Sequence, residues 1–362
     1  MPVLTATHAS PSSSSAASHA IRILADDLTG ACDSAAPFLT AGHSVRVWLD
    51  GAALRPMGET VQAFNMRSRA LPVGQTFGTV TKAATQLEAD SQTLVFKKVD
   101  SAGRGHIAAE IIAAHQALET SAVLFAPSFP AAGRTVRDGI LRITDAAGSR
   151  TQIRLMPLFQ SEAVPAQISH PSEVRQAIAA GANVLVCDAQ TQEELDALAA
   201  LDIPNVLYAG SAGLAQSLAK LHPALHPGEP HALPRIARPL TICGTLHPVT
   251  QLQTRHTIAA HPTHPLLQIR AEAADVEEIL AQFQQRDPEA LILTGGDTAL
   301  LVLTTLKAHS ILLRGELAPG IPWGLIHGGL AHNRIVVTKS GGFGAPHTLT
   351  SIVQALTGAT SA

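Results

Sequence analysis

Two neighbouring carboxylates follow the first apolar run of the chain. Asp26 and Asp27 come directly after residues 21–25, and a threonine, a glycine and an Ala-rich segment, 34–41, come next. This order predicts a buried strand, a tight polar turn and a helix over 34–41. In open α/β sheets ligands bind at such a corner, because the first N–H groups of the helix are unpaired and point into the crevice. We therefore expect both aspartates to face a ligand.

Capping is the alternative function for this turn. Asp27 or Thr29 could serve only as the cap of the following helix, since both residue types are favoured there. Haloacid-dehalogenase phosphatases also place an aspartate nucleophile after a strand, but they need Asp-x-Asp-x-Thr, and this turn is Asp-Asp-Leu-Thr. The spacing excludes the phosphatase motif and leaves the capping alternative open.

A second dense group of polar residues stands at the end of another strand-like run. It consists of Lys98, Asp100, Ser101 and Arg104, with glycines on both sides of the arginine, and a third strand-like run ends in a Pro/Gly turn that carries Arg134. Glycine lets the backbone approach a ligand closely, and arginine can grip a carboxylate or a phosphate through its planar fork. The pattern predicts an anionic substrate, although the same charges could form a solvated rim.

Glycine-rich turns follow the strand-like runs of the last third of the chain. The residues predicted to hold a nucleotide there are Gly244, Thr245, Gly295, Gly296, Asp297, Thr298, Lys339, Gly341 and Gly342. Free backbone N–H groups, hydroxyls and a cation are the groups that hold phosphates. The sequence has neither a Walker loop nor an opening Gly-x-Gly-x-x-Gly, so the prediction is a nucleotide site of another type. The alternative is that these glycines only make tight turns.

The chain length of 362 residues predicts two domains, since single cores stop growing at roughly 250 to 300 residues. Prolines repeat over 222–239, which predicts an extended linker. We expect a disordered tail over 1–19, a first domain over 20–221 and a second over 240–362. Alternating strands and helices predict an α/β fold in which each domain is an α/β/α layered sheet and the active site lies in the cleft between them. Segment 157–171 is expected to be an irregular loop.

The composition favours small-molecule chemistry. The sequence is 46% hydrophobic and 15% charged with a net charge of −3, which excludes a disordered chain and a basic nucleic-acid-binding face. The longest apolar runs are too short to span a membrane. The isolated Cys32, Cys187 and Cys243 form neither a disulfide framework nor a zinc motif, so we expect buried thiols in a cytoplasmic protein. A homo-oligomer is possible.

Taken together, the motifs resemble those of the four-carbon acid sugar kinases, which include threonate, erythronate and 3-oxo-tetronate kinases. The resemblance runs from residue 21 to 351 and rests on segments 25–31, 97–101, 104–105, 210–214, 295–298 and 339–344. It implies an N-terminal domain that binds the sugar acid and a C-terminal domain that binds ATP, with Mg²⁺ on the nucleotide. It also implies phosphoryl transfer to a terminal hydroxyl of the acid.

Roles for individual residues follow from this resemblance. Asp26 or Asp27 is expected to orient the attacking hydroxyl and accept its proton, and the acid is expected to be held by Lys98, Asp100, Ser101 and Arg104. The metal ligands and the identity of the acid stay open.

Two motifs depart from the family pattern. The family usually has Thr-Leu where this chain has Ala102-Gly103, and Gly-Ser-Cys-Ser where it has Gly244-Thr245-Leu246-His247. A kinase of another small hydroxy acid or sugar therefore stays open. A ligand-binding regulator that no longer turns over is the other alternative.

Overall fold

The computed structural model describes residues 20–50, 58–87, 89–90, 92–144, 148–159, 163–201, 203–229, 231–244 and 247–358. In the first part of the described chain, the strands are β1 (Ile21–Ala25), β2 (Val45–Trp48), β3 (Val61–Asn65), β4 (Leu94–Lys98), β5 (Ala122–Ala126), β6 (Arg134–Arg137), β7 (Ile140–Thr144), β8 (Arg150–Arg154), β9 (Pro165–Ile168), β10 (Val184–Cys187) and β11 (Val206–Gly210). The helices of this part are α1 (Leu28–Ala35), α2 (Pro37–Thr40), α3 (Val73–Thr85), α4 (Ile107–Ala117), α5 (Val174–Ala179), α6 (Gln192–Ala199) and α7 (Ala212–Leu221).

The second part repeats the alternation of strands and helices. Its strands are β12 (Pro239–Cys243), β13 (Leu266–Gln268), β14 (Ala290–Thr294), β15 (Ser310–Ala318), β16 (Ile321–His327) and β17 (Ile335–Lys339). Its helices are α8 (Pro248–Ala260), α9 (Val276–Arg286), α10 (Gly296–Thr305) and α11 (Thr348–Thr357).

Fourteen strands of the described residues form one sheet, in the order β13-β12-β14-β17-β16-β15-β2-β3-β1-β4-β11-β5-β10-β9. The eight strands from β2 to β9 in this order are parallel to one another, and so are β13, β12, β14 and β17. The antiparallel strands β16 and β15 stand between the two parallel groups. Strands β6, β7 and β8 form a separate antiparallel sheet. The α/β class is confirmed, and the joining of the two predicted sheets is a finding of the structure.

The seam between the two parts of the chain is the pairing of β15 with β2. Residues 310–313 pair antiparallel with 45–48. The buried guanidinium of Arg46 donates to Ser310 Oγ at 2.9 Å and pairs with Glu59 at 2.6 Å. Because a buried charge is tolerated only when it is paired and hydrogen-bonded, this contact favours one register across the seam.

Helices cover both faces of the sheet. Ile21, Ile23 and Ala25 of β1 point into one core with α1, α7 and α10, whereas Leu24 points into the opposite core with α3 and α4. This alternation follows from the two-residue repeat of a strand. Because the first core includes residues of both α1 and α10, it is shared by the two parts of the chain.

Helix α1 begins earlier than predicted. The expected helix over 34–41 is replaced by α1, which begins at Leu28 directly after Asp27, and by the separate α2, which begins at Pro37. The side chain of Asp27 accepts a hydrogen bond from the Gly30 N–H at 2.7 Å, which starts the helix at the polar turn itself. Proline favours the first turn of a helix and so starts α2.

The prediction of an irregular loop over 157–171 was wrong in part. It contains β9, which pairs parallel with β10 at the edge of the sheet. Pro165 is tolerated as the first residue of β9 because an edge strand leaves one side unpaired. Near the predicted linker, the N–H groups of Ala224 and Gly228 donate to carbonyls of Ala41 and Gly42 at 2.8 and 3.0 Å.

The three cysteines are free and buried, as expected. Across the described ranges, none of the helices combines the length and the apolar character needed to cross a membrane.

Candidate active site

The register of the first parallel group aligns three strand ends. Ala25 at the end of β1 is level with Asn65 at the end of β3 and with Lys98 at the end of β4. The segments that follow these strands therefore meet at one edge of the sheet, which is where an α/β sheet binds ligands.

Asp27 caps helix α1. Its Oδ1 accepts from the Gly30 N–H at 2.7 Å, and its Oδ2 accepts from Thr29 Oγ1 at 2.9 Å. Asp27 is therefore the cap of α1. Capping does not remove this residue from a binding role, because Asp27 and Thr29 also line a cavity.

Arg69 joins three carboxylates. Its Nε donates to Asp26 Oδ2 at 2.8 Å, one terminal nitrogen donates to Asp27 Oδ2 at 2.6 Å, and the other lies 3.3 Å from Asp100 Oδ1. Burial acts to lower the pKa of Arg69, but the carboxylates raise that pKa above its ordinary value. Sequence reasoning missed this residue, and the signal that could have found it is its place in the polar segment 67–69 directly after β3.

Lys98 is a buried cation beside the N-terminus of α1. Its side chain is 4% exposed, and its Nζ lies 3.8 Å from Asp33 Oδ1. Burial acts to lower the pKa of Lys98, but Asp33, Asp26 and Asp27 raise it overall. A Cβ atom on Gly30 would lie 2.9 Å from this Nζ and 2.5 Å from Asp27 Oδ1. Glycine at position 30 therefore leaves the space that the ammonium group occupies.

Asp100 organises the loop after β4. Its carboxylate accepts from the Arg104 side chain at 2.9 and 2.8 Å and from the backbone N–H groups of Ala102 and Arg104 at 3.2 and 3.0 Å. Burial opposes ionisation, but Arg104 and Arg69 hold the pKa of Asp100 well below its usual range. Arg104 is itself 61% exposed and can reach a ligand.

Gly103 packs closely against the small sheet. Gly103 has a φ of +76°, and a Cβ atom there would overlap Ile153 of β8. A side chain at position 103 would therefore meet the sheet β6-β7-β8. Ala102 lines the cavity.

The corner between β14 and α10 faces the first corner. Gly295 has a φ of +102°, a region that favours glycine, and its N–H donates to the carbonyl of Lys339 at 2.8 Å. A Cβ atom on Gly296 would lie 2.6 Å from Asp27 Oδ2 and 3.2 Å from Thr29 Oγ1. The two strand–helix corners therefore approach each other so closely that position 296 has no room for a side chain.

The other predicted nucleotide residues of this region lie around that corner. Thr298 is buried and packs against Gly244. A Cβ atom on Gly244 would overlap the hydroxyl of Thr298. Asp297 is exposed. Thr245 lies outside the described residues.

The loop after β17 is held by Lys339. Its Nζ donates to the carbonyls of Ser340 at 2.8 Å and Phe343 at 3.0 Å, and burial lowers the pKa of Lys339 to about 7. The Gly341 carbonyl accepts from the Thr250 hydroxyl. A Cβ atom on Gly342 would lie 3.1 Å from Nε2 of His247, the cap of α8.

A cavity of about 260 Å³ lies between the two parts of the chain. It is lined by Asp27, Thr29, Gly30, Asp33, Arg69, Lys98, Asp100, Ser101, Ala102, Arg104, Phe129, Arg134, Ile143, His247, Gly320, Ser340, Gly342 and Phe343. The rings of Phe129 and Phe343 stack at 6.4 Å and 6° across it. The cavity thus has a highly charged wall from the first part and an uncharged wall rich in glycine from the second.

Most of the predicted substrate residues meet in this cavity. The lining includes Asp27, Lys98, Asp100, Ser101 and Arg104. Asp26 stands behind it, 2% exposed, in contact with Arg69.

Of the predicted nucleotide residues, Gly342 belongs to the lining. The others described stand outside it: Gly244, Gly295, Gly296, Asp297, Thr298, Lys339 and Gly341. Sequence reasoning missed Asp33, Phe129 and Phe343 as cavity residues.

Solved structures share this fold. A Salmonella typhimurium protein superimposes with a TM-score of 0.70 at 19% identity, covering 93% of this chain and 99% of that one. A Haemophilus influenzae protein superimposes with a TM-score of 0.64 at 19% identity, covering 93% and 100%.

Sequence comparisons point to the same kinases that the motifs resemble. A model of a sugar-binding N-terminal domain matches residues 21–163, and a model of a nucleotide-binding C-terminal domain matches 266–349. A D-threonate kinase of Bordetella bronchiseptica is 31% identical over 93% of this chain and 97% of its own length. A 3-oxo-tetronate kinase of Brucella melitensis is 24% identical over 89% and 92%. The chain belongs to the four-carbon acid sugar kinase family, and it is a sugar-acid kinase.

Proposed function

We propose that the protein transfers the γ-phosphoryl group of ATP to the terminal hydroxyl of a four-carbon sugar acid such as D-threonate. The observation that carries this proposal is the cavity whose charged wall and glycine-rich wall come from different parts of the chain. In this division, residues 20–221 bind the acid, residues 240–362 bind the nucleotide, and 222–239 link them. The names of the relatives and the two domain models support it.

The charged wall suits a small anionic polyol. Arg104 is exposed towards the cavity and can pair with the carboxylate of the acid, while Lys98 and Ser101 can donate to its oxygens. The carboxylate of Asp27 is fixed by Gly30, Thr29 and Arg69, so it can orient a hydroxyl without moving. Phosphoryl transfer depends mainly on such positioning and on neutralising charge.

The glycine-rich wall suits phosphates. Ser340 and Gly342 line the cavity, and Lys339 fixes their loop through two carbonyls. Outside the lining, Gly295 and Gly296 begin α10, whose first N–H groups favour an anion. No group of three His, Cys, Asp or Glu side chains among the described residues could hold an ion. We expect magnesium to arrive with the nucleotide, because it usually binds substrate phosphates and only one or two protein carboxylates.

ADP release in the presence of ATP and Mg²⁺ tests the proposal, with a panel of D-threonate, the erythronates and 3-oxo-tetronates. We expect turnover on one acid and none without an acid. Asp27→Asn should reduce kcat by about 10²-fold or more, because a neutral amide no longer pairs with Arg69 or holds the hydroxyl. ATP should still raise the Tm of this variant.

Three other outcomes would change the proposal. Turnover on a different hydroxy acid would reassign the substrate. Full activity of Asp27→Asn would remove Asp27 from the mechanism. Absence of ADP release with every acid of the panel, while ATP still raises the Tm, would favour a ligand-binding regulator.

A further inference from the structure

Transfer to a hydroxyl requires a group that takes up its proton. This question rests on the proposed function. A general base must reach the reacting group, must be unprotonated at the working pH and is most effective when its pKa lies near that pH. The described residues that line the cavity offer three carboxylates: Asp27, Asp33 and Asp100.

Asp27 and Asp100 each pair with an arginine side chain. Asp27 accepts from Arg69 at 2.6 Å as well as from Thr29, and Asp100 accepts twice from Arg104. A guanidinium at hydrogen-bond distance takes up lone pairs of the carboxylate oxygens, which leaves fewer of them free to accept a proton from the substrate. Asp26, the other predicted base, stands behind the lining and pairs with Arg69 at 2.8 Å. These carboxylates are therefore suited to holding the side chains of Arg69 and Arg104 in place.

Asp33 differs from them in its contacts. It stands on the face of α1 that points into the cavity, three and four residues after Gly30 and Thr29, which are also part of the lining. Its Oδ1 accepts from Ser34 Oγ at 2.9 Å and lies 3.8 Å from Lys98 Nζ. No arginine forms an ion pair with Asp33 within the ranges that the structure describes. Its side chain is 23% exposed, so a substrate can reach it.

We propose that Asp33 is the general base of the reaction and that Lys98 positions it. The hydroxyl oxygen forms its bond to the γ-phosphorus, and the bond from that phosphorus to the β–γ bridging oxygen breaks. The electron pair of the broken bond leaves with ADP. The hydroxyl proton passes to the Asp33 carboxylate and then to water.

The surroundings of Asp33 support this role. Burial raises its pKa to about 6, and Asp27 adds to the rise, whereas Lys98, Ser34 and Arg69 act against it. Asp33 is therefore ionised at neutral pH and still basic enough to take a proton.

The charge of Asp33 also acts on two other groups that can titrate. Cys32 on the same helix has its pKa raised to about 12 by burial. Glu316 of β15 has its pKa raised to about 7 by burial, and the charge of Asp33 contributes.

The test is the pH profile of kcat/KM for the full chain with ATP and the acid that wild type turns over, from pH 5 to 9. Wild type should lose activity as the pH falls through about 6, because protonated Asp33 cannot accept a proton. Asp33→Asn should lower kcat by about 10² to 10⁴-fold and lose this acidic limb, with the KM for ATP within a few-fold of wild type. A residue with a merely structural role would leave the limb in place.

Two further variants sharpen the test. Glu316→Gln should keep both kcat and the acidic limb, which separates Asp33 from the other carboxyl group with a raised pKa. Asp33→Glu retains an ionisable group, so it should keep an acidic limb at reduced kcat. This second variant keeps the proposal testable if Asp33→Asn does not fold.

Three results would overturn the assignment. Wild-type kcat with an unchanged limb in Asp33→Asn would refute the role of Asp33 and leave the proposed function intact. Loss of the limb in Glu316→Gln would assign the ionisation to Glu316. Absence of wild-type turnover on every acid would refute the proposed function, and the assignment of Asp33 with it.

Discussion

The two corners that approach each other beside the cavity have the same architecture and different chemistry. In each, a parallel strand ends, the chain turns, and a helix begins: β1 to α1 and β14 to α10. The first corner carries Asp26 and Asp27 and is bound to Arg69. At the second, Gly295 and Gly296 bring the backbone itself up to the first corner.

This difference separates two ways in which a strand–helix corner can be held in place. The first corner depends on charged side chains, whose positions depend on one another through Arg69. The second depends on glycine, because Gly295 has a φ of +102° and a Cβ atom on Gly296 would meet Asp27. The first corner should therefore be sensitive to the loss of a charge and the second to the gain of a single carbon atom.

The largest effect is expected at Arg69. Arg69→Met removes the partner of Asp26, which is 2% exposed, and leaves it near Asp27 and Asp100. Removing one partner of a buried ion pair destabilises a protein by about 3 to 5 kcal/mol, because the charge that remains is uncompensated. We expect a loss of this size in the free energy of unfolding, measured by urea denaturation, and loss of detectable turnover.

The matched control for Arg69 is Arg67→Met. Arg67 is exposed and lies two residues away on the same segment. It should change the free energy of unfolding by less than about 0.5 kcal/mol. Equal effects of the two variants would show that the first corner does not depend on the links between Arg69 and its carboxylates.

A smaller effect on stability is expected at Gly296. Gly296→Ala places a carbon atom 2.6 Å from Asp27 Oδ2, so one corner must move away from the other. Overpacking of this kind destabilises by about 1 to 3 kcal/mol, and a displacement near 1 Å can lower kcat/KM by about 10²-fold. Thermal unfolding and steady-state kinetics measure the two quantities.

The control for Gly296 is another helical glycine with open space around it. A Cβ atom on Gly78 of α3 would have no contact within 4 Å among the residues that the structure describes. Gly78→Ala should therefore stabilise the protein by about 0.4 to 1 kcal/mol and leave kcat/KM unchanged. An unchanged kcat/KM in Gly296→Ala as well would show that the two corners are not in functional contact.

Local patterns explain what the sequence could predict. The end of β1 and the polar turn at Asp26 and Asp27 were placed correctly, because an apolar run followed by capping residues determines a strand end within a few positions. The start of α1 was misplaced, because the Ala-rich segment has a higher helix propensity than the capped turn before it. Capping by Asp27 overrides that preference.

Side-chain direction could not be predicted in the same way. Lys97 and Lys98 are adjacent in β4, but Lys97 points into the core, where it pairs with Glu110 at 2.6 Å, and Lys98 points at the cavity. Lys339 was predicted to bind nucleotide, and its Nζ binds carbonyls of its own loop in the structure. For β4, the neighbouring helix α4 carries Glu110 and so decides which face of the strand receives Lys97.

The sequence patterns could not predict contacts between segments that lie far apart in the chain. Arg69 meets Asp26 across 43 positions, and Arg46 meets Ser310 across 264. The pairing of β15 with β2 has no local signal, because strand propensity does not name a partner. The network around Arg69 and the continuous sheet are therefore findings of the structure.

The smallest effect is expected from the ring stack that links the two walls. Phe129 follows β5 in the first part, and Phe343 belongs to the loop after β17. Aromatic pairs contribute about 0.5 to 1.5 kcal/mol beyond the area that they bury. In a double-mutant cycle of Phe129→Leu and Phe343→Leu, we expect a coupling of this size in the free energy of unfolding and a further coupling in kcat/KM.

A second cycle separates packing from function. Phe125 and Phe159 form an edge-to-face pair at 5.6 Å inside the core of the first part, away from the cavity lining. Phe125→Leu and Phe159→Leu should couple in stability but not in kcat/KM, because both rings lie within one core and outside the cavity lining. Coupling in kcat/KM for both pairs would mean that the kinetic coupling reflects a general loosening of the protein. Coupling for the Phe129–Phe343 pair alone would show that the charged wall and the glycine-rich wall act on the substrate as one site.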